Sequence, residues 1–209
     1  MAACTDADDG PSSVNPALTD IVTFTGNNDR GAVFEFNRVD DSPLITLQSA
    51  APLDTTRTRE GSRLLLRYIP ASGNAATSGD VTVTGIGVVT TDTLRYGTIT
   101  STPEWDRDGL YVMSMWRTGN YVNLHCRLTY DERPRMFQLM ADRRTLNDPV
   151  PQLYMVHKLQ NPINSHDRAV YASFDIGSLW SKPGCRGVDI HIANTNLTDK
   201  KIFSFTKKQ

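Results

Sequence analysis

Residues 62–100 read SRLLLRYIPASGNAATSGDVTVTGIGVVTTDTLRYGTIT, and the fold class turns on them. A compact apolar run, Leu64-Leu65-Leu66, leads into Arg67 and Tyr68. A loop bearing Pro70, Gly73, Asn74 and Gly79 follows, then a run from Val81 to Thr90 dominated by Thr and Val. Such side chains suit a pleated, half-buried surface, and glycine within the run, here Gly85 and Gly87, marks a bulge or sharp bend. A long bent strand of this kind is what a small closed barrel needs.

The stretch before it has a period of two. Ile21, Thr23 and Thr25 alternate with Val22 and Phe24, and Gly26-Asn27-Asn28-Asp29 reads as a turn. Residues 32–38 form a second strand with Phe34 and Phe36 on one face, and Asp40-Asp41-Ser42-Pro43 turns the chain into Leu44-Ile45-Thr46-Leu47. Residues 49–60 are polar and aperiodic, hence a loop. Residues 96–99 close the unit, which makes an antiparallel barrel or sandwich with no convincing helix.

A boundary is expected near Ser101-Thr102-Pro103-Glu104. Beyond it, residues 110–116 and 121–130 are joined by Arg117-Thr118-Gly119-Asn120, a hairpin signal. Val122, Leu124, Cys126 and Leu128 share one face of the second strand, with Asn123, His125, Arg127 and Thr129 opposite. That alternation suits one sheet of a sandwich. Residues 135–141, 152–159, 169–176, 187–193 and 201–206 read as further strands, and residues 175–180 as one helical turn.

The 209 residues carry a net charge of −1, which gives no overall pull toward nucleic acid or anionic membrane. The halves differ: residues 1–105 sum to −6 and residues 106–209 to +5, as expected of two separately composed domains. No apolar run is long enough for a transmembrane helix. Ala2-Ala3-Cys4 matches the end of a bacterial lipobox, so Cys4 is the candidate lipid-attachment residue. Two or more acyl chains there give stable anchoring to a membrane. Residues 1–17 then form a disordered tether.

Several segments together resemble the NigD-like family of Bacteroidetes lipoproteins over residues 18–208. They are Val33-Phe34-Glu35-Phe36, the run from Asp41 to Leu47, the run from Gly61 to Tyr68, Val81-Thr82-Val83-Thr84-Gly85-Ile86, and Ala172-Ser173-Phe174-Asp175-Ile176. The resemblance implies an all-β protein with an OB-like barrel over residues 18–102. An immunoglobulin-like β-sandwich over residues 103–209 follows, and the address is the cell envelope. It carries no catalytic residue over. The hydrophobic signal that precedes the cysteine in such lipoproteins is missing before Cys4. Asp6, Asp8 and Asp9 are similar to a surface-export signal of that group, and Asp54-Thr55-Thr56 and Asp92-Thr93-Leu94 to its O-glycosylation sequence. Asn196-Leu197-Thr198 fits an N-glycosylation sequon.

For chemistry the residues offer little. Cys126 and Cys185 either form a disulfide, as export permits, or stay apart, with Cys126 buried as a small free hydrophobe. His125, His157, His166 and His191 lack ligand spacing, so no metal or cofactor is expected. No phosphate loop or nucleophile elbow is present, and acid pairs such as Asp40-Asp41 and Asp131-Glu132 sit at turns. Nucleic acid is disfavoured by the −6 charge of the first half and the core phasing of most of its aromatics. Trp105, Tyr111, Trp116, Tyr121, Tyr154 and Trp180 are candidates for sugar stacking, with core packing as the alternative. The expectation is a non-catalytic, lipid-anchored envelope protein, on the outer membrane, that binds a partner protein or glycan. The competing expectations are a hydrolase with its site between the two domains and an assembly subunit that adds strands at sheet edges.

Overall fold

The computed structural model describes residues 16–72, 77–131, 133 and 135–208. Cys4 and nearly all of the expected tether lie outside the described residues, as do Gly73 and Asn74 of the loop after Pro70.

Five strands close a barrel: β1 (Leu18–Asn28), β2 (Gly31–Asn37), β3 (Leu44–Ser49), β4 (Arg63–Pro70) and β5 (Gly79–Val88), in the order β1-β2-β3-β5-β4. The pairs are antiparallel except β3 with β5, which is parallel. The OB-like expectation is met. Alternation puts Val22, Phe24, Phe34, Phe36, Leu47, Leu66 and Tyr68 inside, all buried. Each such side chain contributes roughly 1.5–3 kcal/mol by leaving water. The expected bend in β5 is a bulge: Arg67 pairs with Gly85 but Tyr68 with Val83, so Thr84 is the extra residue.

The first turn falls later than expected. β1 runs on to Asn28 through a bulge beside Phe24 and Gly26, and the chain reverses at Asp29-Arg30. Gly31 ends this turn at φ +127°, where an added Cβ would meet the Ser49 carbonyl oxygen. Only glycine fits there.

The second unit is a sandwich of two sheets. One has the order β14-β13-β11-β10-β7 and the other β6-β12-β9-β8. Its strands are β6 (Thr90–Thr93), β7 (Arg95–Gly97), β8 (Tyr111–Thr118), β9 (Tyr121–Asp131), β10 (Met136–Asp142), β11 (Gln152–Lys158), β12 (Pro162–Asp175), β13 (Gly187–Ile192) and β14 (Ile202–Thr206). The helical turn expected near residue 175 is α1 (Gly177–Trp180). Val122, Leu124, Cys126 and Leu128 all face the sandwich core, as their alternation requires.

The domain boundary differs from the expectation. β6 pairs in parallel with β12 and β7 with β10, so residues 90–97 belong to the sandwich, and sheet membership changes at Val88–Thr90. The break at Pro103 is real but lies inside the sandwich, between β7 and β8. The two short strands sit on opposite sheets, an arrangement that period-two alternation does not encode.

The disulfide is not formed: Cys126 and Cys185 are both buried free thiols. Cys126 sits mid-sheet between Val112 and Val170. Cys185 follows α1, and its thiol donates to the Gly187 carbonyl oxygen at 3.3 Å. Burial pushes the Cys126 thiol up to about 12, so it behaves as a small hydrophobe. Among the described residues no helix is long and apolar enough to cross a membrane.

Candidate functional site

Barrel and sandwich meet along a seam fixed by the β8–β9 hairpin. Its turn residue Gly119 adopts φ +55°, and the hairpin docks on the barrel turn after β2. The Asp40 amide donates to the Arg117 carbonyl at 2.7 Å, and the Gly119 amide donates to the Asp40 carbonyl at 2.7 Å. Asp40 takes φ +48° to do so, a left-handed conformation that Asp tolerates better than most residues. Beside this bridge the Arg117 guanidinium donates to both carboxylate oxygens of Asp41, at 2.8 and 2.6 Å. Its other side lies over the Trp180 ring, 4.3 Å from the centroid. These hydrogen bonds from Arg117 hold the Asp41 carboxyl below the usual carboxylate range.

A second buried arginine crosses the seam from the barrel. Arg63, the first residue of β4, donates from Nε to Ser173 Oγ at 3.2 Å. Its two Nη atoms donate to Thr23 Oγ1 at 3.0 Å and Asn123 Oδ1 at 3.3 Å. Ser173 Oγ donates to Asn123 Oδ1 at 2.8 Å, and Asn123 Nδ2 donates to Thr118 Oγ1 at 2.8 Å. The Tyr121 ring covers the guanidinium at 4.3 Å. Burial pulls the Arg63 guanidinium down to about 10, still charged at neutral pH. Asn123, placed by alternation on the solvent face of β9, is therefore fully buried, because the barrel covers that end of the sheet.

Several clefts open along the seam, among them one of about 270 Å³ lined by Glu35 and Arg63 of the barrel and Thr118 and Tyr121 of the sandwich, and two larger ones. The larger, about 660 Å³, lies between β4–β5 and the sandwich and is lined by Arg63, Tyr121, Asp92 and Asp175 among others. Its carboxylates are engaged: Asp92 accepts from Arg95 at 2.7 and 3.1 Å, and Asp175 from the Gly177 amide at 2.7 Å. The smaller, about 460 Å³, is a groove lined by Asp20, Phe36 and Arg38 of the barrel and by Ser114, Trp116, His125 and Tyr171 of the sandwich. Strand register sets Ser114 opposite His125 and His125 opposite Tyr171. The His125 and Tyr171 rings stack with centroids 4.0 Å apart and planes 9° from parallel. Asp20 accepts from the Tyr68 hydroxyl at 2.8 Å and pairs with Arg38 at 3.6 Å. Burial, aided by the Arg127 charge, lowers the His125 pKa, so the ring is neutral at pH 7.

The structure scatters the six aromatics considered for sugar stacking. Only Trp116 lines the groove, and Tyr121 lies under Arg63. Trp180 is buried beneath Arg117, and Tyr111 lies beneath Arg127 on the outer sheet face. Trp105 meets Tyr154 edge-on at 5.0 Å, and Tyr154 stacks on His191 at 4.5 Å on the other sheet. Of the histidines, His157 is buried with Nδ1 2.8 Å from the Asp108 carbonyl oxygen, and His166 is exposed. Among the described residues no group of three His, Cys, Asp or Glu side chains gathers to hold a metal. Asn196 of the sequon bonds the Val112 amide and carbonyl at 2.9 and 2.8 Å, pairing the edge of β8.

Sequence reasoning missed Asp20, Arg38, Asp41, Arg63, Arg117, Ser173 and Tyr171. Arg63 carried a faint signal, a charged residue heading an apolar run. The others meet across 18–110 positions of chain, and nothing local marks them.

Comparison with known proteins agrees with this architecture. The NigD-like C-terminal beta sandwich domain matches residues 98–205, just over half of the chain. A protein of unknown function from Bacteroides vulgatus superposes with a TM-score of 0.68 at 12% identity, over 93% of this chain and 91% of that one. A NigD-like immunity protein from Bacteroides caccae gives 0.60 at 11% identity, over 91% and 97%. A candidate lipoprotein from Bacteroides fragilis gives 0.59 at 12% identity, over 92% and 96%. No curated protein matches the chain.

Proposed function

The chain belongs to the NigD-like family, and from that premise we propose that it is a non-catalytic, lipid-anchored protein of the cell envelope that binds a partner, protein or glycan, in the groove beside the seam. The observation that carries the binding role is the groove itself. Three rings, Trp116, His125 and Tyr171, share it with the Asp20–Arg38 pair at a domain junction, where binding sites commonly form. Anchoring through Cys4 rests on the Ala2-Ala3-Cys4 run and on the lipoprotein among the structural neighbours.

A hydrolase would need a carboxylate free to exchange protons with substrate. Asp20, Asp92 and Asp175, the acids of the two larger clefts, each accept a hydrogen bond from a protein donor, and Glu35 lines a smaller cleft at the seam. The binding reading rests on the rings of the groove.

Two measurements test it. Mass spectrometry of the membrane fraction from a Bacteroidetes host should find Cys4 acylated at the mature N-terminus, and a soluble product with a free Cys4 thiol overturns the anchor. A benzophenone side chain at Thr19, exposed on the barrel side of the groove, should give a photo-adduct in intact cells that the same group at exposed Lys201 does not. Equal labelling from both positions, or none from Thr19, overturns the groove as the binding site.

A further inference from the structure

We propose that this groove takes a neutral oligosaccharide, its sugar rings lying against Trp116 and the His125–Tyr171 stack and its hydroxyls bonded by Asp20 and Arg38. The inference rests on the groove being the binding site and adds the class of ligand.

Size comes first. A groove of about 460 Å³ falls in the range of small-molecule sites. Shape and chemistry come next. Ser114, the smallest side chain at its level, stands opposite His125 on the edge strand and leaves room beside the ring stack. An aromatic ring presents an electron-rich face that attracts the polarised C–H groups of a sugar, and Tyr and Trp lose little conformational entropy on contact. A carboxylate and a guanidinium held by Tyr68 offer fixed acceptors and donors of the kind that hydroxyls satisfy.

Charge then separates the remaining ligands. The groove holds one carboxylate and one guanidinium, which cancel. Cancelled charge gives an anionic or a cationic ligand no net Coulomb gain to offset the loss of its own hydration. A lipid chain would strip water from the Asp20–Arg38 pair, whose side chains are 18% and 35% exposed, with no hydrogen bond in return. A ligand with apolar faces and neutral hydroxyl edges satisfies both halves of the lining.

The test is affinity electrophoresis of the full chain through gels containing yeast mannan, xylan, laminarin or galactan, with polygalacturonate and heparin as acidic controls. Retardation by at least one neutral polysaccharide is expected, with none by the acidic pair. Trp116→Ala should weaken it at least tenfold. Ser114→Arg should do the same by filling the groove from an exposed position that does not threaten folding. No retardation by any of the four neutral polymers, binding only to the acidic ones, or retardation unchanged by both substitutions overturns the proposal. A protein photo-adduct from position 19 without retardation sinks the glycan and leaves the binding role standing. Neither adduct nor retardation sinks both.

Discussion

Arg117 of β8 and Asp41 of the barrel turn form a two-point ion pair across the seam, 2.8 and 2.6 Å long, with the arginine side chain fully buried and the aspartate half-exposed. This pair, the adjoining Asp40 bridge and the Arg63 cluster set how the barrel sits on the sandwich, and so where the groove opens.

Removing Arg117 therefore acts on stability and groove geometry together. Arg117→Ala should lower unfolding free energy by about 2 kcal/mol or more, mainly through the cavity left over Trp180, since the Asp41 left behind is half-exposed. Arg117→Lys should recover less than half, because an ammonium cannot make the planar two-point contact. Urea unfolding measures both, and an alanine variant within 1 kcal/mol of wild type is inconsistent with a structural role for the pair.

Arg63 is the corresponding anchor from the barrel. Arg63→Ala removes the charged donor that buried Asn123 and Ser173 share, leaving only their mutual hydrogen bond, at a cost of about 1.5–3 kcal/mol for the lost charge-assisted bonds. Hydrogen exchange at the amides of β4 and β9 should speed up together if the cluster holds both. Faster exchange in β4 alone contradicts a role across the seam.

Acid should weaken the fold in two stages. Burial lowers the His157 pKa, chiefly by desolvation, and burial acts the same way on His125 and His191. An unfolded histidine takes up its proton near pH 6.5 while these resist it, so stability is full above about 6.5 and falls as pH drops below that. Asp41 and Asp142, held low by hydrogen bonds from Arg117 and Arg144, contribute stability that is present above about pH 4 and lost below it. His157→Gln should flatten the first stage and leave the second, as read by the urea midpoint against pH.

The two core thiols give a chemical check. Native protein should show no alkylation of Cys126 or Cys185 by iodoacetamide over hours, and both should react in denaturant. Non-reducing mass spectrometry should find no cross-link between them. A Cys126–Cys185 disulfide in protein from the periplasm would contradict the arrangement.

Much of the barrel was legible from local pattern. Phe34 and Phe36 two apart and the glycines near the bend of β5 state their geometry in neighbouring residues, where burial needs only period two. The Gly119-Asn120 turn and the one-turn helix at Gly177 were legible for the same reason. The boundary was not. Thr90–Thr93 and Arg95–Gly97 pair with strands some 40 to 80 residues away, and a polar four-residue strand looks alike in either domain.

Alternation along the chain thus determined that this protein is all-β, that two cores form, and which face of β9 lies inside, because each of those depends on side chains within a few residues of one another. The docking of barrel on sandwich was decided only by tertiary structure. It buries Asn123 on what would be a wet face, spends Arg63 and Arg117 on the seam, and brings Asp20 and Arg38 beside Trp116, His125 and Tyr171. Hydrogen bonds and ring stacking are short-ranged, so residues remote in sequence acquire a shared chemistry only once the sheets have placed them within a few ångströms.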